Sequence, residues 1–254
     1  WIGKSEHVKE FERNFSKSLK GNPENFFSTT SCSEAIFLAS RLFNFNHNDE
    51  IIIPAISFIA VANCIKNSKA KIILCDVDKR SLNIKADTIE PHITSKTKAV
   101  FITHYGGVPC DMGPIIDLCD KNNIILIEDS ACSVNSFHKG KACGTFGDMG
   151  MWSFDAMKIL CTGDGGMVYL KSLSKLEIAK EDLYLGTPTK AKSGLDSSEI
   201  NSNRWWEFDI NRPGRRAIMN NIAGAIGNVQ LKKLNGFIEK RKSIDEYYRE
   251  ALKD

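Results

Sequence analysis

Short apolar runs rich in Ile and Val recur along the chain, separated by longer stretches in which apolar residues return every three or four positions. The first kind reads as strands buried on both faces, the second as helices that cover them. Strands are predicted at Glu50–Ile53, Lys71–Cys75, Ala99–Thr103, Ile124–Ile127, Gly150–Ser153 and Met167–Leu170. Helices are predicted at Ser31–Phe43, where Ile36, Ala39 and Phe43 share a face, and at Phe58–Lys66 and Pro114–Asn122. From about Asn220, the residues Ile222, Ile226, Val229, Leu234 and Ile238 keep helical spacing, which predicts one long amphipathic helix to the end. The alternation of the two periods predicts an α/β layer architecture with a mostly parallel sheet, not a helical bundle.

Thr187–Asn203 breaks the pattern. It is rich in Ser, Thr, Lys and Asn, lies just before Trp205 and Trp206, and reads as a mobile surface loop with an aromatic anchor. Residues 1–20 are polar and helix-like, without the apolar centre of a secretory signal, and residue 1 is Trp, so the start reads as the interior of a longer protein.

With 254 residues, 42% of them hydrophobic, the chain can build a substantial core, which excludes a disordered or collagen-like reading. The net charge of +3 comes with no long basic run, and no apolar stretch reaches the length of a membrane span. The partners expected are therefore small molecules or other protein chains, with no nucleic acid and no membrane. Eight cysteines never form a C-x-x-C pair, which favours reduced thiols in a cytoplasmic protein over a disulfide scaffold or a zinc site. Five dispersed histidines without an H-x-x-x-H spacing point to no metal.

Candidate chemistry gathers where strands end. Lys158 lies just after a strand and just before the turn Thr162-Gly-Asp-Gly-Gly166. An amine at the mouth of a sheet loses some preference for its charged form and becomes a usable nucleophile; an ordinary surface lysine is the alternative. Asp129 follows the very apolar strand Ile124–Ile127, where ligands of open α/β sheets bind, unless it caps a turn. Pyridoxal phosphate needs both: a lysine for its aldehyde and an aspartate to keep its ring nitrogen protonated. Thr29-Thr-Ser-Cys-Ser-Glu34 opens a helix with a cluster of hydroxyls, either a phosphate cradle through Ser33, Ser31 and free backbone N–H groups or a plain serine cap. Ser153 offers a further hydroxyl, and Phe58 a flat face for stacking or a core ring. His104 is either a polar residue of the site or a structural histidine with satisfied hydrogen bonds.

In this order, the segments Asp49–Phe58, Phe101–Asp111, Ile127–Asp129, Gly147-Asp148, Ser153-x4-Lys158, Thr162–Gly166 and Ala225–Leu231 resemble the DegT/StrS-type family of pyridoxal-phosphate sugar aminotransferases, with the fold of aspartate aminotransferase. The resemblance runs from about Ser28 to Glu239. It implies that Lys158 forms the Schiff base and shuttles the proton, that Asp129 partners the pyridinium and that Phe58 stacks on the ring. It also implies a phosphate site from Ser33, the backbone of Glu34 and Ser153, with one residue, here Arg216, lent by the neighbouring subunit of a homodimer. The donor implied is glutamate and the acceptor a keto-sugar, nucleotide-linked in most of the family. His104 and Arg215 are candidate substrate contacts. A lysine at 158 argues against the family's dehydratase branch, which carries histidine there. By the same resemblance, residues 1–20 form an N-terminal helical segment, residues 21–219 the cofactor-binding large domain, and residues 220–254 a connecting helix to a C-terminal small domain that is largely absent.

Two positions depart from the family pattern. Cys132 stands where glutamine commonly bonds the cofactor's ring hydroxyl, and Trp205-Trp-Glu-Phe-Asp-Ile210 differs from enzymes of nucleotide-linked 4-keto-hexoses. The double arginine Arg215-Arg216 raises an acidic keto-sugar, such as an 8-oxo-octulosonate, as an alternative acceptor. A non-catalytic relative that binds the cofactor without turnover is the other alternative.

Overall fold

The computed structural model describes residues 3–187, 210 and 212–253. In chain order the elements are α1 (Glu6–Ser18), β1 (Phe26–Thr29), α2 (Cys32–Leu42), β2 (Glu50–Pro54), α3 (Ile59–Asn67), β3 (Lys71–Cys75), α4 (Ala86–Ile89), β4 (Thr97–Thr103), α5 (Met112–Asn122), β5 (Ile125–Asp129), the two-residue strands β6 (Phe137–His138) and β7 (Lys141–Ala142), β8 (Met149–Ser153), β9 (Gly166–Leu170), α6 (Leu173–Leu183) and α7 (Asn221–Ala251). The expected loop Thr187–Asn203, all but its first residue, and Trp205 and Trp206 lie outside the described residues.

Seven strands form one sheet in the order β1-β9-β8-β5-β4-β2-β3. The run from β8 to β3 is parallel throughout, and only β9, which pairs antiparallel with both β8 and β1, reverses direction. The sheet therefore carries the C-terminal ends of β4, β5 and β8 side by side, which is where open α/β sheets place their ligands.

Alternation along each strand divides the core. Ile51, Ile53, Ala99, Phe101, Ile127 and Met149 cluster with buried residues of α2, α3 and α6, while Ile52, Val100, Ile102 and Leu126 cluster with α5. A third cluster joins Trp152, Phe154 and Met167 to Phe11 and Phe15 of α1 and to Ala223 and Leu234 of α7.

Helix α7 forms where its spacing predicts, and Leu234 and Ile238 pack inward as expected, but its N-terminal turns present a different face. Ile222, Ile226 and Val229 are exposed, and the buried face carries Ala223, Gly224, Gly227 and Asn228. Size decides this: a Cβ on Gly224 would meet the backbone of His7 and Val8, and one on Gly227 would meet the ring of Phe11 at 2.8 Å. The small residues let α1 approach closely, which a row of isoleucines would forbid. Asn221 Oδ1 fixes the join by accepting from the His7 N–H at 3.0 Å.

Candidate active site

A cavity of about 810 Å³ opens at the C-terminal ends of β4, β5 and β8. Lys158, Asp129, Ser33, Ser153 and Phe58 all line it, although they come from four separate segments of sequence. His104, Glu34, Arg215 and Arg216 do not.

Asp129 ends β5 and is almost fully buried; its Oδ1 accepts from the Ala131 N–H at 3.0 Å. Burial pushes its carboxyl above the ordinary aspartate range, while the Ala131 N–H, Lys158 and His104 pull the other way. Such a carboxylate is poised to gain from a cation placed beside it.

Lys158 is half-buried on a loop whose shape is set by Asp155. The Met157 N–H donates to Asp155 Oδ1 and the Lys158 N–H to the Asp155 carbonyl, both at 2.9 Å, while Phe154 is fully buried and donates its N–H to the Gly165 carbonyl. The lysine backbone is thus held between a buried aromatic anchor and a tight turn. Its Nζ donates to Cys132 Sγ at 3.4 Å.

The third wall is the start of α2. Ser31 caps it, its Oγ accepting from the Glu34 N–H at 3.1 Å, and Ser33 in the first turn faces the cavity. Strand β9 begins directly beneath: a Cβ on Gly166 would stand 2.7 Å from the Cys32 nitrogen, so only glycine allows this approach. Amide groups at a helix start attract phosphate. Phe58, at the N-cap of α3, is 58% exposed, so its ring is free to cover a ligand and is no part of the core.

Together the donor set holds an amine, a buried carboxylate, two serine hydroxyls at a helix start and an exposed aromatic face. That set matches an aldehyde, a ring nitrogen, a phosphate and a planar ring, so the residues present fit pyridoxal phosphate.

Four sequence candidates lie outside the cavity lining. His104 is fully buried; its Nε2 donates to Glu128 Oε2 at 3.0 Å and its Nδ1 accepts from the Cys110 N–H at 3.1 Å. With both ring nitrogens engaged, it is the structural histidine of the two alternatives and has no group left for a substrate. Glu128 also accepts from the backbone N–H groups of Gly144, Phe146 and Gly147 at 2.6–2.7 Å. Arg215 is turned to the carboxylate of Glu34 at 3.2 Å, and Glu34 also pairs with Arg41 at 2.8 Å. Glu34 therefore keeps its side chain outside the cavity. Arg216 is exposed, its guanidinium 5.5 Å from the ring of Tyr184.

Tyr105, Asp155 and Asp164 line the cavity without having stood out in the sequence. Gly106 and Gly107, both with positive φ, mark the turn that carries Tyr105, and Gly163, also with positive φ, marks the one that carries Asp164; Asp155 gave no such signal.

The sequence profile of the DegT/DnrJ/EryC1/StrS aminotransferase family matches residues 1–254. A dTDP-4-dehydro-2,3,6-trideoxy-D-glucose 4-aminotransferase of Saccharopolyspora spinosa is 43% identical over 254 residues, covering 100% of this chain and 65% of that protein. A GDP-perosamine synthase of Escherichia coli O157:H7 is 33% identical, over 99% of this chain and 65% of the relative. Among solved structures, the aminotransferase TlmJ from Streptoalloteichus hindustanus superimposes with a TM-score of 0.91 at 41% identity, covering 99% of this chain and 65% of that one. The chain thus spans about two thirds of the length of the proteins it matches.

Proposed function

Because this chain belongs to the DegT/DnrJ/EryC1/StrS aminotransferase family, we propose that it carries the cofactor site of a pyridoxal-phosphate-dependent sugar aminotransferase, one that moves an amino group from glutamate to a nucleotide-linked keto-sugar. The observation that carries this reading is the convergence of Lys158 and Asp129 on one cavity beside the start of α2. When bound, the cofactor supplies an electron sink for the substrate carbon.

Each residue then has a role. Lys158 bonds the cofactor through Nζ and carries the proton between substrate and cofactor. Asp129 holds the ring nitrogen protonated, and that cation offsets the cost of a buried carboxylate. Phe58 covers one face of the ring, and Ser33, the Glu34 backbone and Ser153 hold the phosphate. Arg216, exposed and outside the lining of its own cavity, is the residue this reading lends to the phosphate site of a second copy in a homodimer.

The relatives named for dTDP- and GDP-linked sugars support a nucleotide-linked acceptor and a place in amino-sugar or polysaccharide biosynthesis. The acidic-sugar alternative drew on Arg215 and Arg216; the pairing of Arg215 with Glu34 weakens that reading, while Arg216 stays exposed. The test is spectroscopic first. Added pyridoxal phosphate should give a visible band that bleaches with glutamate, and borohydride should trap the cofactor on Lys158. Lys158→Ala should show neither; a colourless wild type would sink the proposal. Coupled assays with dTDP- and GDP-linked 4-keto-hexoses against an acidic keto-sugar then decide the acceptor.

A further inference from the structure

We infer that Cys132 is a positioning residue for the reactive amine: its sulfur seats Lys158 Nζ as a neutral hydrogen-bond partner, aiming the amine into the cavity without fixing its charge. The inference rests on the reading of Lys158 as the residue that bonds the cofactor.

The contact joins residues 26 positions apart, so it reflects the fold and not local sequence. The turn that presents the thiol is pinned on both sides. Ala131 is bound to Asp129 Oδ1, and Ser133 donates its N–H to the Ser130 carbonyl at 2.8 Å and its Oγ to the His104 carbonyl at 3.1 Å. The Cys132 carbonyl also lies against Gly107, where a Cβ would stand only 2.9 Å from it. Few degrees of freedom remain to Sγ beyond rotation of its own side chain.

The chemical type of the partner matters as much as its place. Lys4, Lys71 and Lys85 each hold a carboxylate at 2.6–2.8 Å, whereas among the described residues no carboxylate forms an ion pair with Lys158, and Asp129 acts on it only through its field. A carboxylate would stabilise the ammonium form, and an ammonium has no lone pair with which to attack an aldehyde. A thiol is a weak donor and a weak acceptor, so it can orient the amine without the full charge that a carboxylate would bring.

The experiment compares wild type with Cys132→Ala, Cys132→Ser and Cys132→Asp, each checked for native circular dichroism. One readout is the rate and pH dependence of cofactor attachment, followed by the visible band. The other is iodoacetamide labelling of the cysteines, with and without pyridoxal phosphate, read by peptide mass. Loss of one weak hydrogen bond predicts attachment slowed about three- to tenfold in Cys132→Ala, with Cys132→Ser restoring it to within about twofold. Cys132→Asp should move the midpoint of attachment to a pH about one or more higher. The cofactor should shield Cys132, but not Cys161, from the reagent. Unchanged rates and midpoints across all four proteins, or a Cys132 still labelled at full speed while the band is present, would overturn the inference and leave the assignment of Lys158 standing. Absence of any band in the wild type would remove both.

Discussion

The backbone N–H of His104 donates to the carbonyl of Asp129 at 3.1 Å, so a residue buried behind the cavity holds in place the residue that lines it. The ring of His104 is in turn held by Glu128, the immediate neighbour of Asp129 on β5, whose side chain points to the other face. One strand thus presents a carboxylate to the ligand and another to the scaffold.

Glu128→Gln should be costly despite its near-identical shape. The carboxylate accepts from the His104 ring and from three backbone N–H groups, and an amide must turn an NH2 toward one of these donors. Urea denaturation should show a loss of about 2–4 kcal/mol. A loss below about 1 kcal/mol would mean that the network relaxes more easily than its geometry implies.

Asp129→Asn should separate stability from cofactor binding. Burial raises the carboxyl in the folded protein, so the folded state binds this proton more tightly than the unfolded chain does. The stability it contributes is complete below the ordinary aspartate range and is lost as pH rises toward the folded value. The cofactor-free variant should therefore melt above wild type at neutral pH, with the gap closing in acid, while its affinity for pyridoxal phosphate collapses. Parallel melting curves from pH 4 to 8 would refute the sign.

Much of this arrangement was legible beforehand because a sheet buried on both faces leaves a strong trace. Ile51–Ile53 and Val100–Ile102 announce their strands, and Asp129 and Lys158 stand out by following such runs. Strand β1 escaped because Phe26–Thr29 has only two large apolar residues, and α6 because Leu176, Ala179 and Leu183 are spaced by Lys175, Glu177, Lys180 and Glu181. The outward turn of Ile222, Ile226 and Val229 was hidden for a different reason: periodicity reports which residues share a face, while the choice of face was made by two glycines and the shape of α1. Partners such as Glu34 with Arg215 or Cys132 with Lys158 have no local signal at all, because each pair is brought together by distant turns.

Thiol reactivity should divide the eight cysteines. Cys132 is exposed and Cys161 partly so, while the other six are buried. Burial pushes the thiols of Cys110, Cys119 and Cys143 up to about 12, which removes their reactive thiolate at neutral pH. A disulfide reagent at pH 7.5 should modify Cys132 and Cys161 in a fast phase, and the rest only on unfolding. Fast reaction at Cys110 or Cys143 would show that the turn around Glu128 opens readily.

Gly224→Ala tests the closest helix contact. The added methyl meets backbone atoms of His7 and Val8, which cannot swing aside as a flexible side chain could. The expected loss is about 1–3 kcal/mol, with amide exchange quickening along α1 ahead of the sheet. Wild-type protection in α1 would show that the helices slide to accommodate the methyl.

That same contact sets an order of events during synthesis. His7 waits for Asn221, 214 positions later, and at ordinary ribosomal speeds the interval is roughly 10–40 s. For that time Phe11 and Phe15 have no complete seat, since Ala223 and Leu234 of their cluster have yet to emerge. Helix α1 thus leaves the ribosome long before the helix it docks on, and until then its aromatic face is left for a chaperone to cover.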